Sequence, residues 1–549
     1  MKILSTVPLL CLLFGATHTL AQKKKPNVLI ILADDVGTGD VPGYWNNEIV
    51  DMPNLRALQE KGVTFTDAHS TPLCAPSRYS LLSGNQPHRG TEVFGTWGLY
   101  PSGQTQFYGR QQSIASMLKT GDYHTSMFGK WHIGGGLPDG YNKTNILSSQ
   151  DWENGRLSNG PADHGFDDSF YTLEGIQGAP YSFFRNGKLL TEEEDIVYWE
   201  KGEHVSQGGN TFEILNPGEG DKHWDSTSYN KKIYRKAETF IDNHIENHSD
   251  KPFFMYFSLG SVHIPHTPPK QYFDGTKIAG RYEDPHLDLL FEMDLIVGSL
   301  TKKLEDENLM EDTIVIFTSD NGGLHMKYPN RVLRGFKGNL YENGHRVPFI
   351  MRYDGVLPAG ERRDEHYIAL WDIYATIAQL TDLKIDEYSA QDSKSFKEYA
   401  ISGSAGAPRK YLTVYKPQTD KHQAAIRDGD FKFIRDYINK WEALYNLKDD
   451  IGEKHNLLVT DFDKYNGLRK KLRNKLRQNG PCPADRGHSF KLRHGKKAGT
   501  TVNCSFFRKY SESKCYWQPF GEVVCNSICG RFRKFCRLWK DYEAEFLDN

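Results

Sequence analysis

Residues 27–35 read Asn-Val-Leu-Ile-Ile-Leu-Ala-Asp-Asp. The apolar run Asn27–Ala33 is typical of a strand that is buried on both faces, as strands are in parallel sheets. Phe253–Leu259 (FFMYFSL) and Thr313–Thr318 (TIVIFT) have the same character. Segments with helical spacing lie between these runs, among them Pro53–Lys61. This alternation predicts an α/β fold in which helices flank a mostly parallel sheet.

Acidic and amide side chains follow two of these strands directly. Asp34 and Asp35 come after the first strand, and Asp320 and Asn321 come after TIVIFT. Ligands of open parallel sheets bind beyond the carboxyl ends of the strands. Oxygen ligands of this kind suit a hard cation, Ca²⁺ or Mg²⁺. An ordinary role as loop or helix-cap residues is the alternative reading for each pair.

The pattern changes after about residue 385. Short strand-like runs at 411–414, 423–426, 431–434 and 443–447 are separated by turn residues, which predicts a small antiparallel sheet. The predicted organisation is therefore a catalytic α/β domain over residues 26–385, a small C-terminal domain over 386–460 and an extension over 461–549.

The first 21 residues have a short positive start, an apolar stretch and a small residue, Ala21, as secretory signal peptides do. We therefore expect a secreted protein, with lysosomal or periplasmic location as alternatives, and no transmembrane anchor. Cys11 leaves with the signal peptide. The six late cysteines could form three disulfides in an oxidising compartment, and these are Cys482, Cys504, Cys515, Cys525, Cys529 and Cys536. Sequons for glycosylation occur at Asn142, Asn247 and Asn503.

The near-neutral total charge conceals a basic end. From residue 461 onward there are 20 Lys and Arg against 9 Asp and Glu, a net charge of +11, whereas the whole chain has −2. The rest of the chain therefore carries −13. In a secreted protein such a tail could bind polyanions such as sulfated polysaccharide. A solvated, disulfide-stapled appendage without a ligand is the alternative, and we expect no nucleic acid partner.

Cys74 is the one cysteine between Cys11 and Cys482. A free thiol is a liability in an oxidising compartment, although free cysteines are often simply buried apolar residues. Here Pro76 and Ser77 can begin a helix and Arg78 adds a fixed positive charge. A helix N-terminus beside an arginine indicates an anion site.

This segment resembles the signature of the type I sulfatases, the formylglycine-dependent members of the alkaline phosphatase superfamily. The signature consists of Cys74, Pro76 and Arg78, followed by Leu81-Leu82-Ser83-Gly84 and His88-Arg89-Gly90. Further resemblances lie at residues 129–132 (GKWH), 261–265 (SVHIP), 318–322 (TSDNG), 334–338 (RGFKG) and 443–457. They cover roughly residues 26–460, and the cysteine-rich tail has no counterpart.

The resemblance implies that a formylglycine-generating enzyme converts Cys74 to formylglycine (3-oxoalanine). Its hydrate would attack sulfur with one hydroxyl, and the second hydroxyl would then lose its proton so that the sulfate ester collapses. It also implies a cation, Ca²⁺ with Mg²⁺ as the alternative, held by Asp34, Asp35, Asp320 and Asn321 together with an oxygen of modified Cys74.

The resemblance assigns the remaining site residues as well. Arg78 would orient the diol, and Lys130 and Lys337 would bind sulfate oxygens. His132 would accept the proton of the diol, and His263 would protonate the leaving alcohol. The nearby His266 is the alternative to His263. One further polar contact to sulfate is left open among Asp168, Glu174, Gln177 and Ser182.

We therefore expect a sulfuric ester hydrolase that acts on a sulfated carbohydrate. An aryl or small-molecule sulfatase and a catalytically silent, polyanion-binding protein are the alternatives. A phosphatase or phosphodiesterase of the same superfamily normally uses Ser or Thr as its nucleophile, and Cys74 argues against that reading. A metal-dependent adhesion module is a further rival.

Overall fold

The computed structural model describes residues 25–478 except 46–48, 92–104, 138–145, 325–331, 404–405, 407, 417–422 and 437–438, together with five short backbone strands between residues 489 and 546. The predicted signal peptide with Cys11 and the sequon Asn142 lie outside these residues. So do the side chains of the six late cysteines. Asn247 ends a helix and is exposed.

The strands up to residue 446 are β1 (Asn27–Ala33), β2 (Val63–His69), β3 (His124–Lys130), β4 (Asp168–Thr172), β5 (Phe184–Arg185), β6 (Lys188–Leu189), β7 (Ile196–Trp199), β8 (Gly202–Val205), β9 (Thr211–Ile214), β10 (Gly218–Asp221), β11 (Phe253–Ser258), β12 (Thr313–Ser319), β13 (Arg346–Arg352), β14 (Glu361–Arg363), β15 (Ile368–Ala369), β16 (Leu412–Lys416), β17 (Gln423–Asp428), β18 (Phe431–Asp436) and β19 (Glu442–Asn446). The tail strands are β20 (Ser489–Leu492), β21 (Thr501–Asn503), β22 (Cys515–Trp517), β23 (Val523–Cys525) and β24 (Ala544–Phe546).

The α-helices are α1 (Pro53–Lys61), α2 (Cys74–Ser83), α3 (Ile114–Lys119), α4 (Tyr229–Asn247), α5 (Pro285–Asp306), α6 (Glu342–His345), α7 (Asp372–Leu380), α8 (Lys397–Ser402), α9 (Leu457–Thr460) and α10 (Phe462–Gln478). Among the described helices, none is both long and apolar enough to cross a bilayer.

Eleven of the described strands form one central sheet. Its core, in the order β12-β1-β11-β3-β4, is parallel throughout. The strand β13 pairs antiparallel with β12, and β2 pairs antiparallel with β13, so β2 runs in the same direction as the core strands. The predicted α/β fold with a mostly parallel sheet is confirmed. The carboxyl ends of six sequence-distant strands consequently meet at one edge of the sheet.

Both faces of the sheet are covered, which explains the unbroken apolar runs in the sequence. Along β1, Val28, Ile30 and Leu32 pack on one side with residues of α2, α3 and α7. Leu29 and Ile31 face the opposite side, where α1, α4 and α5 pack. Successive residues of a strand point to opposite faces, so a strand in the middle layer must be apolar at every position.

The predicted small antiparallel sheet is present, with the order β16-β17-β18-β19. One of its faces packs through Val414, Ala425 and Ile434 against Trp371 of the large domain. The other face is covered by α10, whose Leu472 and Leu476 are buried on it. The first part of the basic extension therefore packs on the small domain.

Candidate active site

The loops that follow six strands converge at the carboxyl edge of the central sheet. They carry Asp34 and Asp35 after β1, Cys74 after β2, Lys130 and His132 at the end of β3, Glu174 after β4, His263 after β11, and Asp320 and Asn321 after β12. Lys337 reaches the same place from the loop before α6. The structure thus brings together the predicted cation ligands with Cys74, Lys130, His132, His263 and Lys337, but not all of the alternatives that the sequence left open.

Cys74 is the first residue of α2, and the whole of this helix is buried. Cys74 is a free cysteine, and 7% of the residue is exposed. Burial alone would raise the pKa of Cys74, but the positive charges of Lys130 and Lys337 and the contact with His132 outweigh burial and lower the pKa to about 6. The pocket around position 74 is therefore built to stabilise negative charge.

Arg78 lies one turn further along α2 and connects three strands. Its Nε and Nη2 donate to Asp320 Oδ2 at 3.0 and 2.7 Å. Its Nη1 donates to the carbonyl of Lys130 at 3.1 Å and to the hydroxyl of Ser258. Because Arg78 is fully buried, these contacts fix α2 relative to β3, β11 and β12.

The glycine before Lys130 lets the end of β3 lie close to Ser258 of β11. Gly129 has φ of +106°, and a Cβ there would lie 1.8 Å from the carbonyl oxygen of Ser258. Only glycine permits both this conformation and this close approach. The ammonium of Lys130 then lies 2.7 Å from Asp34 Oδ2 in a fully buried pair.

Three buried oxygens of the predicted cation ligands accept no hydrogen bond among the described residues. They are Asp34 Oδ1, Asp35 Oδ2 and Asn321 Oδ1. Asn321 Nδ2 is used, since it donates to Asp35 Oδ1 at 2.8 Å. Ligand atoms of Asp34, Asp320 and Cys74 also lie within 4.8 Å of one another. Oxygen atoms that are buried and left unpaired are costly, so this donor set fits a hard divalent cation.

The charges in this cluster support the same conclusion. Burial and the neighbouring Asp34 carboxylate raise the pKa of Asp320 to about 8. Burial would raise the pKa of Asp34 too, but Lys130, His263 and Arg78 hold it well below its usual range. Two carboxylates this close repel each other unless a proton or a cation lies between them.

His132 lies between Cys74 and an acidic side chain. Its Nδ1 is 3.5 Å from Cys74 Sγ, and its Nε2 is 3.3 Å from Glu174 Oε2. Burial would lower the pKa of His132, but Cys74 and Glu174 raise it to about 9. Of the four polar residues left open by the sequence, Glu174 is the one in ionic contact with a named site residue.

The structure separates the two candidate histidines. His263 has its Nε2 3.7 Å from Asp35 Oδ2 and its Nδ1 2.6 Å from the carbonyl of Ile264. His266 instead has its Nε2 3.1 Å from the carbonyl of Val262 and 3.4 Å from His286 Nδ1. Only the first of these rings therefore faces the predicted cation ligands.

Lys337 closes the site on the side of Asp35. Its ammonium lies 2.7 Å from Asp35 Oδ1, and 17% of its side chain is exposed. Burial alone would lower the pKa of Lys337, but the negative charges of Asp35 and Cys74 outweigh burial and raise it. The side chain therefore stays charged. Lys337 and Lys130 thus place two cations near position 74.

Some features of the site could not be found by sequence reasoning. Ser258 binds Arg78 but carries no motif that distinguishes it from other strand serines. Asp35 and His132 have φ of +65° and +54°, a left-handed conformation that is uncommon outside glycine. Such conformations cluster at functional sites, and no local sequence signal announces them.

Comparison with known families and proteins gives one consistent result. The family model described as Sulfatase matches residues 26–383, and the one described as N-sulphoglucosamine sulphohydrolase, C-terminal, matches residues 336–480. The chain is 27% identical over 516 residues to an N-acetylgalactosamine-6-O-sulfatase of Bacteroides thetaiotaomicron, an alignment that covers 83% of this chain and 95% of that protein.

Two further similarities agree with this result. Human arylsulfatase A is 28% identical over 481 residues, which is 81% of this chain and 86% of the human protein. A solved sulfatase structure from work on glycosaminoglycan metabolism by B. thetaiotaomicron superposes with a TM-score of 0.69 at 26% identity, covering 82% of this chain and 98% of that one.

Proposed function

Because the chain belongs to the sulfatase family of the alkaline phosphatase superfamily and is a sulfuric ester hydrolase, we propose that its substrate is a sulfated carbohydrate. Sugars present hydroxyl groups around the sulfate, and these need acceptors in the protein. The observation that carries the proposal is the pair of acceptors beside Lys130. The Glu174 carboxylate is partly exposed, and Gln177 Oε1 is buried and accepts no hydrogen bond among the described residues.

The position of Gln177 follows from the glycine beside Glu174. A Cβ on Gly175 would lie 2.7 Å from Lys130 Cδ and 2.9 Å from Gln177 Oε1, so this loop packs directly on the lysine. Polar acceptors at such a place favour a hydroxyl-bearing substrate over a steroid. The relative named N-acetylgalactosamine-6-O-sulfatase supports the same substrate class.

We propose that position 74 is a formylglycine and that the bound cation is Ca²⁺. When present, they supply a hydrated aldehyde as nucleophile and a fixed positive charge beside it. The chain's own residues do the rest. Arg78 fixes α2, and Lys130 and Lys337 hold the sulfate oxygens where negative charge develops.

The two histidines have different roles in proton transfer, one as acceptor and the other as donor. Conversion of Cys74 removes the thiolate that raises the pKa of His132, so a neutral His132 can accept a proton from position 74 through Nδ1, and Glu174 stabilises the resulting positive charge at Nε2. Burial and Lys337 lower the pKa of His263 to about 3, so its ring is neutral before substrate binds. The negative charge of a bound sulfate raises that pKa, so that Nε2 takes up a proton from water and then donates it to the leaving oxygen.

The ends of the chain belong to the proposal as well. Residues 1–21 direct secretion, a formylglycine-generating enzyme converts Cys74, and the extension contacts sulfated polymer. Some basic side chains of α10 form ion pairs within the protein: Arg469 pairs with Glu442, and Lys475 lies 3.9 Å from Asp428. The polyanion contact is therefore assigned to the residues beyond α10.

The experiment is sulfate release from a panel of substrates by natively expressed, purified protein. The panel contains 6-O-sulfated N-acetylgalactosamine, 6-O-sulfated and N-sulfated glucosamine, an aryl sulfate and a steroid sulfate. We expect the highest kcat/KM on a sugar, and higher turnover of the aryl or steroid sulfate would refute the assignment. Peptide mass spectrometry across residue 74 of the same sample tests the conversion, and an unmodified thiol in active protein would exclude it.

A further inference from the structure

The loop that carries Lys337 is in contact with two other parts of the active site. We call residues 334–344 the Lys337 loop. The backbone N–H of Lys337 donates to the carbonyl of Gly323 at 2.9 Å, next to the predicted cation ligands. The N–H of Gly338 donates to the carbonyl of Pro72 at 2.7 Å, just before Cys74. On its inner side, the Lys337 loop is thus hydrogen-bonded to the segment before Cys74 and to the segment that follows the predicted cation ligands.

The small C-terminal domain holds the outer side of the same loop. Glu453 Oε2 accepts a hydrogen bond from the N–H of Glu342 at 2.6 Å. The carbonyl of Glu453 accepts one from Arg334 Nη1 at 2.7 Å. A single residue of the small domain therefore binds both ends of the Lys337 loop.

Lys432 of β18 completes this attachment. Its ammonium lies 2.8 Å from Glu342 Oε1 and 2.9 Å from Glu453 Oε1, and 3.1 Å from His345 Nε2. Lys432, Glu342 and Glu453 are each at most 1% exposed. A buried ion-pair network is stable only when each charged group has its partner. The positions of these side chains are therefore tightly constrained.

The loop has little freedom to absorb a displacement. A Cβ on Gly344 would lie 2.1 Å from the carbonyl oxygen of Asn339, and a Cβ on Gly322 would lie 1.9 Å from that of Asn343. Backbone segments in such close contact move together. A shift at Glu342 is therefore transmitted to Lys337 and to the loop that follows Asp320.

We propose that Glu453 and Lys432 are positioning residues of the active site, which hold the Lys337 loop so that the Lys337 ammonium is placed to bind sulfate. The small domain then takes part in catalysis in addition to covering one side of the large domain. This inference rests on the proposed role of Lys337 in binding sulfate. A purely structural role, in which the network only joins the two domains, is the competing explanation.

The test is a double-mutant cycle between Glu453→Gln and Lys337→Ala, assayed on the best substrate of the panel. Glu453→Gln keeps the size of the side chain but removes the carboxyl group that pairs with Lys432. A small misplacement of a binding group can cost about 100-fold in rate, so we expect Glu453→Gln to lower kcat/KM by about 10- to 100-fold. In the Lys337→Ala background the same change should cost no more than about threefold, since coupled residues are not additive.

The control is Glu442→Gln on the neighbouring strand β19. Glu442 pairs with Arg469 of α10 and with Arg435 of β18, so its ion pairs lie within the small domain and not with the Lys337 loop. We expect this variant to keep kcat/KM within about twofold of the unmodified protein, whatever its melting temperature. If Glu453→Gln fails to fold, Lys432→Met combined with Glu453→Gln replaces it, because Arg346 remains as the partner of Glu342 at 2.8 Å.

The outcomes are distinct. The positioning role would be overturned if Glu453→Gln lowered kcat/KM by the same factor in the unmodified protein and in the Lys337→Ala variant. Full activity of Glu453→Gln would also overturn it. If Lys337→Ala itself retained full activity, the proposed function of Lys337 would fail first. The inference is supported if Glu453→Gln lowers kcat/KM and Glu442→Gln does not, although the two variants have the same melting temperature.

Discussion

The Nδ1 atom of His132 lies 3.5 Å from the sulfur of Cys74, which links the residue at the start of α2 to the second residue after β3. The two are 58 positions apart in the chain, and His132 is in a left-handed conformation that turns its ring toward the thiol. Position 74 is thereby surrounded by cations, with Lys130 and Lys337 completing the set.

The first prediction concerns unconverted protein, made without a formylglycine-generating enzyme. Its Cys74 thiol should react with iodoacetamide with a midpoint near pH 6, because the surrounding cations lower the pKa to about 6. Reactivity should rise with pH through this midpoint and level off above it, since the thiolate is the reactive form. Lys337→Ala should move the midpoint upward, whereas the exposed Lys302→Ala should not. A midpoint at or above pH 8.5 would contradict the prediction.

The second prediction concerns Glu174. Glu174→Gln keeps the shape of the side chain but removes the charge that faces His132 Nε2. His132, the proposed base, then loses the group that stabilises its protonated form, and we expect kcat to fall by about 10-fold or more. Steady-state kinetics measures the effect, with Glu238→Gln on the surface of α4 as the control. Unchanged kcat in Glu174→Gln would refute the assigned role.

The third prediction concerns the cation. Binding to Asp34, Asp35 and Asn321 satisfies buried oxygens, so added Ca²⁺ should raise the melting temperature of chelator-treated protein by several degrees. Asn321→Ala should reduce this increase. Asp195, Asp221 and His223 form another acidic group at the surface, and Asp195→Asn should leave the increase unchanged. Equal stabilisation of Asn321→Ala and the unmodified protein would exclude Asn321 as a ligand.

The fourth prediction separates the two histidines. His263→Asn should lower kcat by about 100-fold or more, because a general acid contributes on this scale and His263 Nε2 faces Asp35. His266→Asn should stay within a few-fold, because that ring contacts Val262 and His286 instead. An aryl sulfate with a good leaving group should reduce the His263 effect. The reverse order of the two losses would show that His266 is the acid.

The fifth prediction concerns stability. Glu292 is buried against Asn230, and burial raises its pKa to about 7 from 4.5. The folded state therefore binds more protons than the unfolded state between these values, so this residue makes the free energy of unfolding fall as pH rises through that window. Glu292→Gln should be about 3 kcal/mol more stable than the unmodified protein at pH 8 and nearly equal at pH 4.

Urea unfolding at the two pH values measures this difference. Glu238→Gln serves as the matched control, since Glu238 pairs with Arg235 at the surface of α4. A stability difference for Glu292→Gln that is the same at both pH values would show that the ionisation of Glu292 does not control stability.

Much of the fold was predictable because its signals are local. The helix α1 and the strand β1 have the bounds that their residue patterns predict, and the small sheet has its four strands where turn residues separate the apolar runs. The helix α3 begins at Ile114, because Ser113 caps it by accepting a hydrogen bond from Ser116 N–H. Periodicity and capping depend only on residues within a few positions, so sequence is sufficient there.

The choice among alternatives needed the packed structure. Sequence alone left four polar residues open, and only the register of β3 against β4 brings Glu174 to His132. It also gave no sign that Glu453 holds a loop more than 100 residues earlier in the chain. Contacts of this kind depend on how sheets and domains pack, which no local pattern encodes.

The sequence by itself determined the alternation of strands and helices, the residue types placed after each strand and the family to which the chain is similar. The tertiary structure decided which of those side chains meet, how closely two lysines and an arginine approach Asp34 and Asp35, and which histidine faces them. The physical reason is that strand periodicity is written in neighbouring residues, whereas a charged site acquires its properties from burial and from partners that are distant in the chain.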